Sequence, residues 1–136
     1  MEIGVSSYSF SRLVREGVLS QLDVIAKAKE MDFDVIEFST FALPEGETPL
    51  SFAPRVKAEC DRVGIAVANY TIGADFINGS DGNIEAEIER LKDEVRVAQI
   101  LGAPGMRHDA TRGFAPDHIG AKSFDAALPR LVEGCR

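Results

Sequence analysis

Apolar residues along the chain follow two alternating rhythms. Leu22, Ile25, Ala28 and Met31 recur at helical spacing, and so do Phe52, Val56, Cys60 and Val63. Ile84, Ile88, Leu91, Val95 and Ala98 make the clearest stripe, with Glu85, Glu89, Lys92, Asp93 and Arg96 on the other faces. Between these stripes lie short apolar runs: "IGVSSYSF" (3–10), "DVIEF" (34–38), "IAVANY" (65–70) and about 105–109. Each has the length of a strand.

The boundaries carry their own chemistry. Ser20 with Asp23 three residues on reads as a capping box, in which each residue satisfies the other's free N–H. The next helix is expected from about Ser51 to Val63, stopped by Gly64. Asn83 is a plausible cap for the third, which Gly102 and Pro104 end. A last helix begins near Ser123 or Asp125. The later start is preferable because Pro129 then falls near the first turn. Segments 39–50, 71–83 and 110–122 are polar or rich in Gly and Pro and read as loops.

The order is therefore strand–helix, four times over, with strand starts near Ile3, Val35, Ile65 and Gly105. Spacings of roughly 30–40 residues suit βαβ units, and hence a parallel sheet with right-handed crossovers. An open doubly wound sheet and a (β/α)8 barrel both share this pattern. The first strand–helix turn, "SSYSFSRLVREG", has no G-x-G-x-x-G and no P-loop, which favours the barrel. A barrel needs eight units and about 250 residues. In the last helix, Leu128, Leu131, Val132 and Cys135 make an apolar stripe still running at the end of the chain. Residues 1–136 are thus expected to be a single partial domain, the N-terminal half of a barrel, truncated in its fourth unit's helix. The alternative is a half-barrel that dimerises to close its sheet. Either way, open sheet edges make self-association an expectation.

Charge narrows the partners. Acidic residues outnumber basic ones 22 to 15, a net charge of −7, and no run of Lys or Arg offsets this. Such a surface repels phosphate backbones, so no nucleic-acid partner is expected. No stretch approaches the ~20 apolar residues of a membrane span, and the N-terminus lacks the form of a signal peptide. A cytoplasmic protein without a membrane partner follows. Cys60 and Cys135 lack metal-ligand spacing and read as buried free thiols.

Four segments together resemble a known family: "IGVSSYSF", "AKEMDFDVIEF", "AECDRVGIAVANY" and "VRVAQILGAPGMRHDA". They are similar to the sugar phosphate isomerase/epimerase family. These are xylose isomerase-like TIM barrels, in a superfamily that also includes apurinic endonucleases. Asp32 stands where family members commonly have Gly, and Asp tolerates the left-handed conformation better than most residues. The resemblance implies an isomerase or epimerase acting on a small-molecule carbohydrate by proton or hydride transfer between adjacent carbons. It also implies a divalent metal ion (Mn, Mg, Co or Zn) in the full-length parent. Its usual ligands, two Glu, an Asp and a His, come from strands five to eight, outside this chain, so the chain alone is expected to be inactive. An endonuclease-type metal hydrolase and a non-catalytic, dimerising half-barrel are the alternatives.

Strand C-terminal ends face the active site of a TIM barrel. That rule selects Tyr8, Glu37, Asn69 or Tyr70, and Arg107 or His108 as substrate-binding candidates. Tyr8 would stack on a sugar, or be a core aromatic with its hydroxyl at the rim. Glu37, in an apolar strand, would serve the site or close an internal ion pair. Arg107 would hold an anion, or brace the rim with Asp109. Period-two alternation sets Met106 and His108 on one side and Arg107 and Asp109 on the other. His108 is expected to contact substrate rather than to ligate, since a single His makes a poor metal site. His118 reaches the site only if its loop folds back.

Overall fold

The computed structural model describes residues 1–136. Its strands are β1 (Gly4–Ser6), β2 (Val35–Phe38), β3 (Ala66–Ile72) and β4 (Met106–His108). Its helices are α1 (Ser11–Arg15), α2 (Gln21–Glu30), α3 (Pro49–Val63), α4 (Ile84–Leu101) and α5 (Phe124–Gly134). The fold is α/β. The strands are parallel and lie in the order β1-β2-β3-β4, as four successive strands of a (β/α)8 barrel do. The first strand is shorter than its apolar run: a 3-10 turn at Ser7–Phe10 and the short α1 follow it.

By its contacts the chain divides into two compact units, Met1–Ile72 with Glu94–Arg107 and Gly73–Asp93 with His108–Arg136. The first is built on α2, α3 and the strands. Ser20 accepts from the Asp23 N–H at 3.1 Å while Asp23 accepts from the Ser20 N–H at 2.8 Å, so α2 starts on the expected box. Asp32 then turns the chain at φ 63, the left-handed value that usually calls for Gly. Helix α3 begins earlier than expected. Thr48 and Ser51 exchange backbone N–H bonds reciprocally, and Pro49 fills the first helical position, where no N–H is needed. Gly64 ends it at φ 71.

The core of this unit joins Val24, Ile25 and Ala28 of α2 to Ile36 and Phe38 of β2 and to Phe52, Val56 and Cys60 of α3. Phe41 from the loop after β2 sits among Phe38, Phe52 and Tyr70, with ring centroids 5.7, 5.9 and 5.5 Å away. These offsets suit aromatic quadrupoles. The Tyr70 hydroxyl donates to the buried Glu94 carboxyl at 2.6 Å.

In the second unit Phe76 is the buried centre. Its N–H donates to the Ala110 carbonyl at 2.9 Å, and its own carbonyl accepts from Arg130 Nε at 2.9 Å. Helix α5 starts at Phe124 on a Ser123 cap, so Pro129 lies inside the helix and not in its first turn. Leu128 and Val132 of its apolar stripe are exposed, and so is Cys135, which was expected to be buried.

Helix α4 starts on Asn83, whose side chain accepts from the Ala86 N–H at 3.0 Å. Its buried face differs from the apolar stripe. Val95 is 56% exposed, whereas Glu87 and Glu94 are 2% and 7% exposed. The core-facing line runs Ile84, Glu87, Leu91, Glu94, Val97 and Leu101, at steps of three and four. Two of its members are carboxylates.

Candidate functional site

At the C-terminal ends of β2 and β3 the pairing is irregular. Ile36 pairs with Val67, but Glu37 pairs with Asn69, so Ala68 is an extra residue on β3. This is a bulge, the device by which strands re-aim side chains. Without it Glu37 would stand opposite Ala68, which carries no donor. With it, Asn69 Nδ2 donates to Glu37 Oε2 at 3.3 Å and to Thr71 Oγ1 at 2.9 Å. Glu37, Asn69 and Thr71 are half-buried on one face, while Phe38 and Tyr70 go into the core. Gly105, at the start of the fourth strand segment, leaves room here: a Cβ on it would lie 3.1 Å from Asn69 Oδ1.

The arrangement is a carboxylate held by an amide at a strand end. It accepts hydrogen bonds from hydroxyls, and it can take a proton from a carbon or oxygen acid brought beside it. Of the alternatives at β3, Asn69 belongs to this face. Tyr70 is buried and bonded to Glu94.

The other sequence candidates stand elsewhere. Tyr8 lies on the 3-10 turn after β1, 71% exposed. Beside it Ser7 and Ser39 latch the exits of β1 and β2. The Ser39 N–H donates to Ser7 Oγ at 2.9 Å, and the two hydroxyls are 3.2 Å apart. Arg107 is exposed on β4. His108 is exposed too, with its ring edge-on to Phe76 at 6.0 Å. Its Nδ1 lies 2.8 Å from the Asp109 carbonyl oxygen, which only accepts. Nδ1 therefore carries the proton, and in the neutral ring Nε2 is an acceptor. His118 stacks on Phe114 at 4.5 Å.

A divalent metal needs several converging donors. No group of three or more His, Cys, Asp or Glu side chains gathers in this chain. Glu37 faces an amide, and His108 faces a carbonyl. The residues present do not fit a metal centre.

A second constellation was not foreseen from the sequence. Glu87 accepts from the Asp75 N–H (3.1 Å), the Ser80 hydroxyl (2.9 Å) and the Arg90 guanidinium (Nε 3.0 Å, Nη2 2.7 Å). Hydrogen bonds from Arg90 hold its carboxyl down at about 2, despite burial. Burial pushes the Asp75 carboxyl up, but bonds from Asn78, Thr111 and Ile77 outweigh it, and the net direction is down. Asp75, Asn78, Ser80, Glu87 and Arg90 line a cavity of about 350 Å³ with Gly73 and Arg112. The Glu87–Arg90 spacing of three was visible in the sequence as a helical ion pair. Its burial was not.

No family model matches the chain, and none of the curated proteins matches it. Among solved structures, the chain is similar to 3-keto-D-glucoside 4-epimerase, YcjR, from E. coli, in its apo form. The TM-score is 0.60 and the identity 17%, over 86% of this chain and 44% of that one. At that identity the likeness concerns the fold. The chain spans less than half of that structure's length.

Proposed function

We propose that this chain forms the substrate-facing part of a sugar isomerase or epimerase, an enzyme that moves a proton or hydride between adjacent carbons of a small carbohydrate. The observation that carries the reading is the bulge-set Glu37–Asn69 pair, at the C-terminal ends of neighbouring parallel strands. Those ends hold the reacting groups in (β/α)8 barrels. The fold shared with a 3-keto-D-glucoside 4-epimerase supports it.

In this reading Glu37 accepts a hydrogen bond from a substrate hydroxyl. Asn69 fixes the carboxylate so that its second oxygen remains available. Thr71, tied to the same amide, adds a hydroxyl to the same wall. The divalent ion of such enzymes would polarise a carbonyl, and its ligands would come from residues outside these four strands.

The test uses the complete protein that contains this chain. A panel of aldoses, ketoses and their phosphates is incubated in D2O and followed by NMR. An isomer or epimer as product is the expected result, and turnover at low substrate concentration falls by roughly 10-fold or more in Glu37→Gln, the scale of a lost hydrogen bond to a charged group. Deuterium beside the carbonyl assigns proton transfer, and product without it assigns a hydride shift. Wild-type turnover in Glu37→Gln would sink the assigned role, and no product across the panel would sink the function.

A further inference from the structure

The wall formed by Glu37, Asn69 and Thr71 carries two oxygens that no group of the chain uses. Asn69 Nδ2 directs its protons to Glu37 Oε2 at 3.3 Å and Thr71 Oγ1 at 2.9 Å. Turning the amide over would set its oxygen against the Glu37 carboxylate, so this orientation is fixed. Asn69 Oδ1 and Glu37 Oε1 are left as acceptors without a donor. Both reach the surface: the one enclosed side-chain atom without a partner lies elsewhere, at Gln21 Nε2.

Oδ1 faces Gly105, just before β4. The Tyr70 N–H donates to the Gly105 carbonyl at 3.1 Å, which holds that backbone beside β3. Gly105 lies outside the positive-φ region, so its backbone does not call for glycine. Apart from its chain neighbours, a Cβ there would meet one atom within 4 Å, Asn69 Oδ1 at 3.1 Å. Gly105 is exposed. The missing side chain therefore keeps the approach to Oδ1 open.

A carboxylate oxygen and an amide oxygen can only accept, so a ligand for this pair must bring two donors. Two hydroxyls of a neutral polyol do so. A phosphate or carboxylate group brings acceptors of its own and is repelled by Glu37. We propose that Gly105 is a specificity-determining position. Its gap admits one substrate hydroxyl to Asn69 Oδ1, while a second hydroxyl of the same molecule donates to Glu37 Oε1. The end of the sugar bound here carries no phosphate. The proposal rests on the isomerase reading only in taking a sugar as the ligand.

The isotope-labelled 136-residue chain is titrated with neutral aldoses and ketoses and, separately, with inorganic phosphate at constant ionic strength set by chloride. NMR signals of the Asn69 side-chain amide and the Gly105 N–H report binding without any need for activity. Saturable shifts are expected with at least one neutral sugar and none with phosphate. Single-deoxy analogues of that sugar should identify two hydroxyls whose removal each weakens binding by roughly 10-fold. Gly105→Ala should weaken the parent sugar by a similar roughly 10-fold factor. One of the two critical deoxy analogues should then bind this variant no worse than the parent does, because the hydroxyl it lacks no longer reaches Oδ1. No saturable shift with any sugar at hundreds of millimolar would overturn the proposal, and so would a wild-type series in which all deoxy analogues bind alike. Wild-type affinity in Gly105→Ala would overturn it even if the complete protein isomerises its substrate. Sugar binding at this wall without product in the preceding test would sink the isomerase reading and leave this one standing.

Discussion

At the scale of single residues, Glu87 is the group whose charge matters most to its surroundings. Its carboxyl is held at about 2 against an ordinary value of 4.5, by Arg90 first and then by the Asp75 N–H and the Ser80 hydroxyl. The folded state therefore binds its proton less readily than the unfolded chain. The stabilisation is complete above about 4.5 and is lost as pH falls toward about 2. With ~1.36 kcal/mol per pH unit, it amounts to roughly 3 kcal/mol. Glu87→Gln should thus cost about 3 kcal/mol at pH 7, and the gap from wild type should close progressively between pH 4.5 and 2.5 in urea titrations. A constant gap across that range would mean that the carboxylate's charge is not what the site needs. The sequence displayed this residue without its meaning. A Glu at a core-facing helical position reads as part of the polar face, because burial of a charge is unfavourable unless partners are supplied, and the partners come from a loop whose shape the sequence did not reveal. Asp32 is the opposite case. Its left-handed turn at φ 63 was legible through the resemblance, which sets Gly at this corner, and Asp is one of the few other residues that tolerate that conformation.

Elements were legible where a local rule set them. The Ser20–Asp23 box, Gly64 and Asn83 act within one turn of their own position, so the starts of α2 and α4 and the end of α3 followed from the chain alone. The start of α3 at Pro49 used a Thr–Ser box in place of the usual Glu or Gln partner, and was missed. The Ala68 bulge, which makes the Glu37–Asn69 pair, was not legible at all. It is a property of two strands in register, not of either strand's pattern. Strand-end position still brought Glu37 and Asn69 into the candidate set. Helix faces yield a direct check with the two thiols. Cys60 points from α3 into the core, and burial pushes its thiol up to about 12. Cys135, just past α5, is exposed. A thiolate-specific disulfide reagent at pH 8 should label one cysteine rapidly in the native chain and the second only in denaturant, with mass spectrometry placing the first label at Cys135. Early labelling of Cys60 would mean that α3 does not pack as described.

For the molecule as a whole, the sheet order leaves β1 and β4 as edges, and helix α5 exposes Phe124, Leu128 and Val132 at four-residue intervals. Both features favour self-association, and their magnitudes differ. Strand β1 has three residues, and each net hydrogen bond gained by adding a strand is worth only about 0.5–1.5 kcal/mol. Complete burial of a Leu, Val or Phe side chain is worth about 1.5–3 kcal/mol each, and the stripe offers three. The stripe should dominate. Sedimentation of the chain over a range of concentrations should show species above 14.7 kDa that dissociate on dilution. Leu128→Lys puts a charge in the middle of the stripe and should shift dissociation to concentrations at least ~10-fold higher. Ile3→Lys, on the exposed flank of β1, keeps the backbone bonds of Ile3 to Asp34 and Val35 and should shift it much less. The reverse ranking would assign association to the sheet edge. A chain that stays at 14.7 kDa at every concentration would show that neither surface suffices to hold a second copy.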